Sequence, residues 1–123
     1  MNLMAHIIAA RRLWLYRLGG ATERPAGLFP ASITHAELVA GLAAMEEGWS
    51  AYLAHLSAAE LGQTFEYRTT EGDMFRSNVA DVLTQLYGHS LYHRGQIASL
   101  VRALGGQPAE TDFIFWSREP VLT

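Results

Sequence analysis

The 123-residue sequence predicts an all-α helical bundle in a single domain, residues 1–123. Three observations predict it. Half of the residues are hydrophobic, enough to fill a core. Apolar residues recur at three- and four-residue steps over three long segments. Turn-forming stretches bound those segments: Gly19-Gly20, the run from Pro25 to Pro30, and Gly105-Gly106 with Pro108.

The first helix is predicted over about Asn2 to Leu18. Leu3, Ile7, Ala10, Trp14 and Leu18 form its apolar stripe, with His6 beside it. Asn2 suits the N-cap and Gly19-Gly20 the stop. The second helix runs from about His35 to Leu56. Thr34 and Glu37 fit a capping box, and Leu38, Leu42, Met45, Trp49, Tyr52 and Leu56 form the buried face. Residues 63 to 76 differ in kind. Phe65 and Tyr67 alternate with polar residues and Glu71-Gly72-Asp73 supplies a turn, which suits a short hairpin or an extended loop. The third helix, about Asn78 to Leu104, carries Val79, Val82, Leu83, Leu86, Ile97, Leu100, Val101 and Leu104 on one face. The aromatic tail, residues 110 to 120, is expected to pack back across the bundle. Three stripes bury each other less completely than four, so either a partner chain covers the gap or a helix found in relatives is missing here.

Composition excludes several function classes. Net charge is −3, and all nine basic residues are arginines scattered from Arg11 to Arg118. Without a basic stripe the chain is a poor match to a nucleic-acid backbone. It has no cysteine, which removes disulfides, thiolate metal sites and a cysteine nucleophile. No segment has the roughly 18–20 apolar residues of a membrane span. The N-terminus is not a signal peptide, and a cytoplasmic protein is expected.

The third helix carries "YGHSLYHRGQ", with His89 and His93 one turn apart and both turned inward. Neutral imidazoles at this spacing can place nitrogens on one ion, and the same spacing also occurs in hydrogen-bonded cores. His6 is the candidate third ligand. His35 lies in the first turn of the second helix, nearer the bundle's end, and His55 points to solvent. No H-E-x-x-H, no glutamate three residues before a histidine, no P-loop and no dinucleotide glycine pattern is present.

These residues resemble the DinB-like family of bacterial helical-bundle proteins. The resemblance is carried by "HSLYHRGQIASLVRALGGQPAETDFIFW", by "LMAHIIAARRLWLYRLGG" and by "EYRTTEGDMF". It implies a four-helix bundle with a divalent ion, zinc or nickel, on three histidines, which map to His6, His89 and His93. It also implies that relatives have a further helix before the one beginning here near Asn2. The expectation is therefore a bundle lacking the family's first helix and completed by homodimerisation.

Some relatives transfer low-molecular-weight thiols such as bacillithiol, or use mycothiol in an isomerisation. The implied function is a metal-dependent thiol S-transferase or hydrolase, with a small thiol as cosubstrate. Gln96, one turn from His93, is a candidate to orient substrate or water, or else to bond a ligand ring. Tyr92 and Arg94 point to the surface, and Asp112 is expected to pack the tail or accept a ligand histidine's N–H. The alternative function is a non-catalytic, stress-related dimeric bundle with a structural ion.

Overall fold

The structure, a computed structural model, describes residues 3–121; Asn2, the expected first cap, lies outside them. The three long helices are α1 (Leu3–Arg17), α2 (His35–His55) and α4 (Val79–Ala103). Between α2 and α4 stand a short helix, α3 (Ala58–Leu61), and an antiparallel hairpin of β1 (Thr64–Arg68) and β2 (Met74–Asn78). A last short helix, α5 (Phe113–Ser117), follows. The fold is mostly helical with one small sheet. Among the described residues no helix is long and apolar enough to cross a membrane.

α1 is buried over more than one stripe, with Met4, Arg12 and Tyr16 left exposed. Leu3, Ala5, His6, Ile8, Ala9, Ala10, Leu13 and Leu15 are all buried, whereas the expected stripe members Ile7, Trp14 and Leu18 are half-buried. The reason is its position. α1 packs against both α2 and α4, and the connection after it covers a further side. His6, read as flanking the stripe, is only 6% exposed.

α2 starts on the predicted box: Thr34 Oγ1 accepts from the Glu37 N–H, and the Glu37 carboxylate accepts from the Thr34 N–H. It approaches α1 closely through Gly48, where an added Cβ would sit 2.8 Å from a Leu15 methyl. Trp49 Nε1–H donates to the Arg11 carbonyl at 3.1 Å, which satisfies a buried indole. Ile8, Leu15, Met45, Trp49, Val82 and Leu86 make the central apolar cluster. α3, which periodicity missed, carries its own sign: Ser57 and Glu60 form a second capping box.

The hairpin pairs Tyr67 with Phe75 and turns through Gly72 at φ 102°, a backbone that favours glycine. It clamps α1 from the side. The Tyr67 ring meets Trp14 edge-on at 4.9 Å, and the Arg17 guanidinium lies 4.6 and 4.8 Å from the two rings. Its last residue, Asn78, caps α4 by accepting the Asp81 N–H at 2.7 Å.

The buried residues of α4 are Val79, Val82, Leu86 and Ser90, all in its first half. The predicted continuation of the buried face fails there: Ile97 and Val101 are half-buried, and Leu100 and Leu104 are exposed. Gly105, at φ 78°, closes the helix as Gly105 and Gly106 N–H groups return to Arg102 and Val101 carbonyls. The tail does not pack back across the bundle. Phe113, Ile114, Phe115 and Trp116 of α5 are all exposed. They satisfy one another locally, Phe113 against Trp116 and Arg118 over Phe115.

Leu15→Ala is expected to cost about 2–5 kcal/mol of stability, the usual cost of emptying a filled core position. Trp116→Ala is expected to change it by less than about 0.5 kcal/mol, as an exposed position should. Urea denaturation of both variants checks this, and equal effects would contradict the packing described.

Candidate metal centre

Three histidines far apart in sequence meet where α1 crosses α4. One ring nitrogen from each of His6, His89 and His93 lies within 4.8 Å of the other two. The ring centroids are 5.0 Å apart for His6–His89, 4.9 Å for His6–His93 and 4.5 Å for His89–His93, all edge to face. The pair on α4 follows from i, i+4 spacing on one helix face. His6 joins them because α1 is the helix packed against that face.

The outer hydrogen bonds fix which nitrogens face inward. His6 Nδ1–H donates to the Leu28 carbonyl at 2.8 Å, and a carbonyl can only accept, so the lone pair of the neutral ring sits on Nε2. His93 Nδ1–H donates to Gln96 Oε1 at 2.7 Å, which leaves its Nε2 lone pair available in the same way. His6 Nε2 and His89 Nε2 stand 3.1 Å apart. His89 Nδ1 is buried with no hydrogen-bond partner.

This donor set fits a divalent ion. Imidazole suits zinc and nickel, and the Leu28 carbonyl and Gln96 Oε1 already orient two of the rings. Nitrogens sharing one ion at about 2.0–2.1 Å lie roughly 3–4 Å apart, so the observed grouping needs only a small ring adjustment. His89 Nδ1 lacks a partner whichever ring nitrogen carries the proton: with Nε2 on an ion it would be an unpaired donor, and with Nε2–H bonded to His6 an unpaired acceptor.

Electrostatics disfavour the protonated form of His89. Burial pushes the His89 pKa down, and His93, His6 and Arg11 push it further. Arg11 is itself half-buried, donating from Nε and Nη2 to Ser90 Oγ at 3.2 and 2.8 Å. Burial and the neighbouring Arg94 lower its pKa, partly offset by Glu46.

The other expected residues fall as follows. His35 and His55 are exposed and stand outside the cluster; His55 Nδ1–H donates to the Ala51 carbonyl. Gln96 places its side-chain oxygen on His93. Tyr92 and Arg94 are exposed, as expected. Asp112 is exposed at the start of α5 and makes no cap bond, so it neither packs the tail nor accepts from a clustered histidine. Sequence reasoning missed Leu28, whose contribution is a backbone carbonyl. It also missed Phe29, whose ring stacks on His6 at 4.3 Å and 4°. Neither has a signature in a Pro- and Gly-rich connection.

A depressed His89 pKa sets the pH dependence of the metal-free protein. The unfolded chain takes up a proton near pH 6.5 and the folded one only at lower pH. The contribution is therefore intact above about 6.5 and is lost as pH falls through the folded value. The melting temperature should drop on acidification from about pH 7.5 to 5.5. His89→Asn should flatten that slope, and an unchanged slope would count against the burial of His89.

A family model described as the DinB family matches residues 1–120. No curated protein matches the chain, and no solved structure does. A family match over nearly the whole length agrees with the mostly helical architecture, and the chain belongs to the DinB family.

Proposed function

We propose that this protein binds one divalent metal ion, zinc or nickel, through His6, His89 and His93. In this reading the loaded site is that of a metal-dependent transferase working on a low-molecular-weight thiol. One observation carries it: three imidazoles from two helices converge, and Leu28 and Gln96 already hold the outward nitrogens of two of them. An ion held by three nitrogens has room for a further ligand, and its Lewis acidity lowers a thiol's pKa enough to keep it a thiolate. The thiol is a cosubstrate because the chain has no cysteine of its own. Its sulfur forms a bond to an electrophilic carbon, whose leaving group departs with the bonding electron pair. The chain's residues position: Leu28 and Gln96 hold the rings of His6 and His93, and Phe29 keeps water from one face of His6. Water in place of the thiol would make the same site a hydrolase.

The second reading is a non-catalytic, stress-related bundle in which the ion only ties α1 to α4. The deep burial of His6 under Phe29 favours it. Thiol-dependent turnover of an electrophile by the zinc- or nickel-loaded protein, lost in His93→Ala, supports the enzyme. Tight metal without turnover across a panel of thiols supports the structural ion. We also propose a homodimer that completes a four-helix bundle, because the second half of α4 and α5 leave Leu100, Leu104 and Trp116 exposed.

Metal analysis should find about one ion per chain, and His89→Ala or His93→Ala should weaken binding on the order of 100-fold or more. Chelation should lower the melting temperature. At free metal 100 times Kd the bound ion contributes about 2.7 kcal/mol, or roughly 10 °C for a domain of this size. Full metal retention by His93→Ala would refute the site. Sedimentation as a monomer at micromolar concentration would refute the dimer.

A further inference from the structure

A cavity of about 630 Å³ lies beside the histidine cluster, between α1, the connection from Leu18 to Thr34, and the first turns of α2. Its size falls in the range of small-molecule sites. Ala5, Ile8 and Ala9 line it from α1, and the short alanine side chains leave the space open. Phe29 borders it too, and the same ring is stacked on His6. One aromatic side chain therefore faces both the cavity and the first of the three histidines.

The charges of the cavity do not balance. Arg12 and Arg24 both line it and both are exposed. Among the described residues the one ion pair is Arg76 with Glu66, so neither guanidinium has a carboxylate of its own. The acid at the rim, Glu37, is already engaged: its carboxylate accepts from Thr34 N–H at 2.8 Å and Thr34 Oγ1–H at 2.7 Å. Those bonds hold its pKa down and tie it to the start of α2. What remains is an apolar wall beneath two free guanidiniums, whose paired N–H donors match a carboxylate.

We propose that this cavity binds the carboxylate-bearing body of an organic substrate, its carbon stem against Ala5, Ile8 and Ala9 and its acid group on Arg12 and Arg24. The inference rests on the metal-site reading for what it delivers, because it assigns the substrate class of that site: an organic acid whose reactive end extends past Phe29 to the histidines. The acid belongs either to the thiol or to the electrophile that accepts it.

Hexanoate, titrated into protein without added metal and followed by methyl NMR, tests the cavity alone. The methyl signals of Ala5, Ile8 and Ala9 should shift, and R12Q/R24Q should weaken binding at least about tenfold. Both arginines are exposed, so the variant should melt as the parent does. Absent shifts at those methyls, or equal binding by the variant, would overturn the proposal. On zinc-loaded protein, 6-mercaptohexanoate is then compared with 6-mercaptohexanol. Tighter binding of the acid by about tenfold or more, abolished in R12Q/R24Q, assigns the carboxylate to the thiol; equal affinity, with hexanoate still bound in the cavity, assigns it to the acceptor. A protein that takes up no zinc yet binds hexanoate keeps the cavity and defeats the metal site, so the two failures are distinguishable.

Discussion

The burial of α1 is the constraint on which the rest of the structure depends. With α2 and α4 against it and the following connection over it, eight of this helix's 15 residues are buried. A polar side chain placed there must find its partners within the protein or lose several kcal/mol to desolvation. His6 resolves this in two directions, outward to the Leu28 carbonyl and inward to the histidines of α4. The Arg11 guanidinium, five residues later, does so through Ser90. The histidine centre is thus a consequence of where the core helix lies, and it holds the irregular connection in place as well.

The centre also shows how the neutral form of one imidazole, His89, is favoured. Among the described residues the grouping contains only histidines. Arg11 adds positive field, and burial adds a desolvation cost, and both act against protonation of His89. Such surroundings favour ligand lone pairs at neutral pH. The neighbouring cavity has the opposite preference: two arginines, Arg12 and Arg24, stand there against the single carboxylate of Glu37.

Much of the architecture was legible in the sequence. The long helices were visible because their apolar residues repeat and because Thr34–Glu37 and Gly19-Gly20 mark ends with specific backbone bonds. His89 and His93 were visible because i, i+4 spacing places side chains on one face whatever the tertiary context. The hairpin was one of two readings, with an extended loop, that Phe65, Tyr67 and Gly72 allowed. What was hidden depends on tertiary packing. Periodicity assigned α1 one buried face because it cannot register a helix enclosed from several directions. It extended the buried face of α4 to Leu104 because it reads residue type and not what lies opposite. The aromatic tail misled for the same reason: Phe113 to Trp116 look like core, yet their partners are each other. Leu28 acts through a backbone atom that every residue possesses.

The nitrogens of His6 and His89 belong to residues 83 positions apart in the chain, so a ligand gripping both closes most of the polypeptide into a ring. Closing a loop of that length costs an unfolded chain several times RT in entropy, whereas the folded protein has already met that cost through its core. In the unfolded chain, the only two of the three clustered histidines that are close in sequence are His89 and His93. The full grip exists after both ends of the chain have assembled, so metallation would follow folding in time and report on its completion.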